Sequence, residues 1–150
     1  MDEPAATCPS ATPSRRCTKT VIVVDASVLA PALADDGPDG DRARERLRRE
    51  VLTAPEVIDL EVASVLRRAA ASGRLPDRRA DLALRDLVDV PLRRAAHRAL
   101  LPRCWELRHT VTSYDAAYVA LAEALDVVLV TADARLSRAP GITCEVEVLT

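Results

Sequence analysis

Phenylalanine is missing from this chain, and aromatic residues make up only 2% of it: Trp105, Tyr114 and Tyr118. Modules that read nucleic acid by stacking successive bases on an aromatic platform need more than that. Any nucleic acid bound here would be held by its phosphates. Lysine is almost absent too: of 21 basic residues, only Lys19 is not arginine. A phospho-acceptor receiver domain needs a lysine beside its acidic pocket, and Lys19 precedes the first strand, so that class fits poorly. The four cysteines, Cys8, Cys17, Cys104 and Cys144, form no C-x-x-C pair. Their spacing matches neither a zinc site nor a disulfide framework, and free thiols in a reducing cytosol are the simpler reading. No apolar run approaches the roughly 18 residues of a membrane span, and the N-terminus lacks the apolar segment of a signal peptide. These absences lead us to expect a cytoplasmic protein with no membrane partner.

What is present fits one ordinary globular domain: 150 residues, 49% hydrophobic and 29% charged, enough to fold without disulfide or metal. The formal net charge is −2, so the whole molecule is no magnet for nucleic acid. Arginine grips phosphate through a planar fork, so local patches still have that capacity. An Ala- and Arg-rich chain is equally what a GC-rich genome encodes. Residues 1–19 are rich in Pro, Ser, Thr and Ala without periodicity, and are expected to be a disordered tail. Residues 20–150 are expected to be the folded domain.

Within 20–150 the pattern alternates strand and helix. Val21–Val24 is a short apolar strand of the kind buried on both faces. Helices are expected over Ser27–Ala34, Asp41–Glu50, Glu56–Ser72, Asp77–Leu87, Ala95–Arg108 and Ser113–Leu125. Further strands are expected at Val51–Ala54, at Val88–Leu92 on a sheet edge because of Pro91, at Val127–Val130, and peripherally at Cys144–Leu149. Gly73 stands where a helix C′ cap belongs. The alternation predicts an α/β fold: a three-layer α/β/α sandwich around a central, mainly parallel sheet.

Four carboxylates occupy telling positions in that frame. Asp25 ends the first strand and Asp133 trails the strand Val127–Val130. Glu61 and Asp115 lie near the starts of two helices. Each has a second reading. Asp25 serves as an N-cap for the helix at Ser27. Glu61 shares a helix face with Val57 and Val65 and has Arg68 as a candidate partner. Thr112 and Asp115 match a capping box, and Asp133 caps the stretch 134–138. Right-handed crossovers nevertheless bring such strand ends and helix starts to one sheet edge, where open α/β sheets build their sites. Carboxylates converging there repel each other unless a cation joins them. His97 and His109 fall outside the group.

At these residues the chain resembles the PIN-domain family, and more closely the VapC toxins of bacterial VapBC toxin–antitoxin pairs. The matching motifs are Val23-Val24-Asp25-Ala26-Ser27-Val28-Leu29, Asp59-Leu60-Glu61-Val62 with Leu66-Arg67-Arg68, Tyr114 to Ala122, and Leu129-Val130-Thr131-Ala132-Asp133-Ala134-Arg135-Leu136. The resemblance covers residues 20–150 and preserves order and spacing. It implies that Asp25, Glu61, Asp115 and Asp133 are the catalytic acidic quartet, with Ser27 and Thr131 as supporting polar residues. Asp25 and Asp115 are expected as direct ligands of Mg²⁺ or Mn²⁺, and Glu61 and Asp133 as ligands directly or through water. It further implies a metal-dependent endoribonuclease, usually homodimeric, that hydrolyses RNA by water attack and is silenced by a cognate VapB-type antitoxin. The long tail departs from the family, whose first strand starts near the N-terminus. Other readings are a non-catalytic PIN-like scaffold and a housekeeping nuclease. A haloacid-dehalogenase phosphatase wants Asp-x-Asp after the first strand, where this chain has Asp25-Ala26-Ser27.

Overall fold

The computed structural model describes residues 19–150. The tail expected over 1–19 therefore lies, apart from Lys19, outside the described residues. Five strands, β1 (Val21–Val24), β2 (Val51–Pro55), β3 (Leu92–Ala95), β4 (Leu129–Thr131) and β5 (Val146–Val148), form one sheet in the order β3-β2-β1-β4-β5. Every pairing is parallel. Between them run six helices: α1 (Ala26–Ala34), α2 (Pro38–Leu47), α3 (Ile58–Ala71), α4 (Asp77–Asp89), α5 (Leu101–Glu106) and α6 (Ser113–Leu125).

The order explains the layers. The chain steps from β1 to β2 to β3 in one direction, then returns past β1 to β4 and β5. Right-handed crossovers put the helices of the two directions on opposite faces. Accordingly α1, α3 and α4 pack on one another, while α5 packs on α6, which lies against β1, β2 and β4. The central strand needs both faces dry, and Ile22, Val23 and Val24 are buried. On α6, Ala116 to Ala122 are all buried, with alanine at most of these positions letting the helix approach the sheet closely.

Several boundaries differ from the sequence reading. The strand expected at Val88–Leu92 is helix α4 as far as Asp89, followed by the edge strand at Leu92–Ala95. The helix expected over Ala95–Arg108 is β3's last residue, a 3₁₀ turn at His97–Leu100 and the short α5. Pro102 accounts for that: it fits only the first turn of a helix, so α5 starts at Leu101. The second helix begins at Pro38 rather than Asp41, and the strand expected at Val127–Val130 is Leu129–Thr131. Gly73 does take the left-handed conformation after α3 (φ 72°), with its N–H on the Ala70 carbonyl at 2.9 Å. Among the described residues, no helix is long and apolar enough to cross a membrane.

Candidate active site

The sheet order reverses between β1 and β4, and the crevice beyond their carboxyl ends is the topological switch point of such a fold. Val24 is in register with Val130, so the next residues, Asp25 and Thr131, stand side by side at that edge. Asp25 is 8% exposed and Thr131 is fully buried. The Thr131 hydroxyl donates to Asp25 Oδ2 at 2.6 Å, and the Ser27 hydroxyl donates to the same oxygen at 2.7 Å. A hydroxyl has one proton. Both are therefore committed to Asp25, and the 3.3 Å approach of Ser27 Oγ to Thr131 Oγ1 is no bond between them. The two hydroxyl oxygens in turn accept the N–H groups of Ala132 (2.9 Å) and Asp133 (3.0 Å). Asp25 Oδ2 is thus locked into the start of the loop after β4. Its Oδ1 receives only a long 3.4 Å contact from the Ser27 N–H, the N-cap bond of α1. The capping reading and the site reading of Asp25 hold together, and the positive end of the α1 dipole favours its charge.

Glu61 sits in the first turn of α3, half-buried. It does not pair with Arg68. The buried Tyr118 hydroxyl donates to its Oε2 in a short bond. Burial raises the Glu61 pKa first; Tyr118 lowers it, and the charges of Asp25 and Asp115 raise it again. Glu61 therefore lies in the field of both aspartates. Tyr118 itself is pushed far up, by burial and then by Glu61, and remains a donor.

Asp115 lies in the first turn of α6. Its backbone N–H donates to Thr112 Oγ1 at 3.1 Å, and the Thr112 hydroxyl donates to Asp115 Oδ2 at 2.8 Å. Asp115 and Asp133 both line an open cleft of about 440 Å³, together with Arg108, His109, Thr112 and Arg135. Asp133 is gripped by Arg135, whose Nε donates to Oδ1 at 2.9 Å and to Oδ2 at 3.0 Å. That guanidinium holds the Asp133 carboxyl below its ordinary range. The Arg135 N–H also donates to Asp133 Oδ1 at 2.9 Å and the Leu136 N–H to the Asp133 carbonyl at 3.1 Å, so Asp133 also caps the turn over 134–138.

All four carboxylates therefore surround the same strand edge, but they do not form the convergent quartet expected. Among the described residues, no three carboxylate, imidazole or thiol side chains are gathered closely enough to cage one ion. The Tyr118 hydroxyl holds one oxygen of Glu61, and Arg135 holds both oxygens of Asp133. The donor set nevertheless fits Mg²⁺ or Mn²⁺ chemically. It is all hard oxygen, and Mg²⁺ keeps several waters and needs only one or two carboxylates. None of the ion pairs among the described residues includes Asp25, Glu61 or Asp115. Sequence reasoning missed Tyr118 and Arg135 as neighbours of the site. Tyr118 follows Asp115 by one helical turn, the spacing of residues on one face, and that was its signal.

The PIN domain family matches residues 22–142. Ribonuclease VapC1 of Mycobacterium tuberculosis is 43% identical over 128 residues, 85% of this chain and 96% of that protein. VapC ribonuclease Mb0985 of Mycobacterium bovis is 42% identical over 129 residues, 86% of this chain and 98% of that protein. Among solved structures, VapC20 of Mycobacterium tuberculosis, a sarcin-ricin loop cleaving toxin, superposes with a TM-score of 0.63 at 20% identity, covering 81% of this chain and 96% of that one. That likeness concerns the fold. With a match over most of its length and relatives of this identity, the chain belongs to the PIN domain family, and its curated relatives are VapC ribonucleases.

Proposed function

We propose that this protein is a metal-dependent endoribonuclease, the toxin of a type II toxin–antitoxin pair, with its nuclease in residues 20–150. The observation that carries the reading is electrostatic. Asp25 and Asp115 both act on Glu61 at the switch point, and none of the three carboxylates forms an ion pair with an arginine among the described residues. Arg135 lies in the field of Asp115 but forms no ion pair with it, so this negative charge is only weakly offset. Mg²⁺ or Mn²⁺ is the counter-charge that suits hard oxygen donors. Asp25, through its lightly used Oδ1, and Asp115 would hold it directly, with Glu61 and Asp133 completing the site directly or through water.

When bound, the cation polarises the scissile phosphate and eases deprotonation of an attacking water. The residues of the chain supply the rest. Ser27 and Thr131 fix Asp25, and Tyr118 fixes one oxygen of Glu61, so the acidic edge is preorganised at no cost during reaction. Asp133, once released by Arg135, adds a fourth carboxylate on the cleft side. No side chain acts as nucleophile, so in-line attack by water leaves a 5′-phosphate and a 3′-hydroxyl. The toxin relatives support a small VapB-type antitoxin as partner, and the acidic edge suits an arginine from such a partner, whose fork pairs with carboxylates. A homodimer accords with the same relationship.

The test is cleavage of RNA by the purified chain with Mg²⁺ or Mn²⁺, set against the Asp25→Asn and Asp115→Asn variants. Both variants should be inactive while still folded by circular dichroism. Wild-type rates from Asp25→Asn would overturn the site assignment.

A further inference from the structure

The lone tryptophan sits in an unexpected place. Trp105, near the end of α5, is 69% exposed, although burying an indole is among the larger gains available to a folding chain. The Arg108 guanidinium lies over its ring, 5.0 Å from the centroid, and Arg108 Nη1 donates to the Trp105 carbonyl at 2.8 Å. The stack is therefore held in place rather than loosely apposed. Arg108 also lines the cleft that contains Asp115 and Asp133. It makes no ion pair among the described residues, so its charge is free to meet an anion. Arg135 stands on the same cleft wall. An aromatic face, an unpaired arginine and an acidic catalytic edge are thus contiguous.

We propose that Trp105 with Arg108 is a subsite for a single unpaired base of the RNA strand, next to the linkage being cut. The base stacks on the indole face that Arg108 leaves open, and Arg108 meets the phosphate leading into the cleft. Bases in unpaired RNA are splayed out and stack on aromatic rings or guanidinium planes without needing a given sequence. The chain's poverty in aromatics forbids a multi-base platform, but one ring holds one base. An exposed tryptophan next to an arginine also suits a protein interface. RNA is favoured because the arginine joins the ring to the cleft. This subsite rests on the ribonuclease reading above.

Because the chain has one tryptophan, its fluorescence reports on position 105 alone. The full chain carrying Asp115→Asn, which keeps RNA intact, would be titrated with a short oligouridylate and with its abasic analogue of equal length and charge. Saturable quenching by oligouridylate, absent or about tenfold weaker with the abasic strand, is expected from the loss of one stacked base. By anisotropy of labelled oligouridylate, Trp105→Ala should weaken binding about tenfold, with Trp105→Phe restoring most of it. Equal quenching by both strands, or RNA binding with no quenching, overturns the subsite. So does a Trp105→Ala variant that binds RNA normally but changes its sedimentation mass, which would assign the ring to a protein contact. Quenching by a chain whose wild type cuts no RNA would keep the subsite and sink the nuclease. Cleavage without quenching would do the reverse.

Discussion

Between Tyr118 and two aspartates, the Glu61 carboxyl is half-buried and its pKa is raised, first by burial and then by the charges of Asp25 and Asp115 against the opposing bond from Tyr118. An acid with a raised native pKa stays protonated when the unfolded chain has already lost the proton. In that window, from the ordinary value of 4.5 upward, stability falls as pH rises. Ionised Glu61 is thus a net cost to the metal-free fold at neutral pH. Glu61→Gln, which can still accept from Tyr118, should melt at or above the wild type at pH 7 without metal, the gap narrowing as the pH drops to 4.5. A variant that melts lower at pH 7 would show that Tyr118 outweighs burial and repulsion. At this scale the sequence was legible for strand-end and helix-start acids, since backbone topology places them. The hydroxyl lock on Asp25 showed only as polar neighbours, because Ser27 and Thr131 meet across 104 residues of chain. The Tyr118–Glu61 bond was hidden because tyrosine reads first as core.

Elements were legible where one physical signal dominated. The helix Ser113–Leu125 lies where its Thr112 cap and apolar run put it. The β3 region failed because two signals collided. Val88-Asp89-Val90 alternates like a strand, yet α4 runs on to Asp89 because Ala83 and Leu87 bury the helix face, leaving Val88 exposed. The true strand carries Arg93 and Arg94, charges that an edge strand tolerates. Arg94 also ties that edge down, with Nε 2.7 Å from Asp59 and Nη2 2.7 Å from the Leu87 carbonyl. The α1–α2 corner is more tightly specified. Asp35 accepts the N–H of Gly37 at 2.7 Å and of Gly40 at 3.3 Å, while Arg44 donates to the Ala32 and Asp35 carbonyls at 3.0 and 2.7 Å. A Cβ on Gly40 would lie 1.9 Å from the Asp35 carbonyl oxygen. That is backbone against backbone, with no flexible side chain to give way. Gly40→Ala should therefore destabilise the protein by about 1–3 kcal/mol, the usual cost of overpacking. Urea unfolding measures it, and an unchanged midpoint would mean that α2 slides on α1 freely.

Over the whole molecule, the arginines divide by task. Arg46 bridges Glu50 and Glu147, linking α2 to β5, and Arg103 joins α5 to α6 through Glu123 while reaching the Gly141 carbonyl. These residues hold elements together and are not available to RNA. A composition count therefore overstated the basic surface, and the net charge of −2 hides an acidic edge beside a small basic wall. Asp25, Glu61 and Asp115 form no ion pair among the described residues, so a divalent cation should bind the native state in preference to the unfolded chain. Binding of that kind stabilises by mass action, about 2.7 kcal/mol when the free metal is a hundredfold above its dissociation constant. For a chain of this size each kcal/mol moves the melting temperature by about 2–4 °C. Millimolar Mg²⁺ or Mn²⁺ should thus raise the melting temperature by several degrees, and EDTA should abolish the gain. Arg135 now competes for Asp133, so Arg135→Gln should strengthen the metal response if Asp133 joins the ion, and leave it unchanged if Asp25 and Asp115 suffice. No shift in the wild type with either metal would count against this edge as a cation site at all. The growth of cells expressing the chain without an antitoxin would then have no reason to slow.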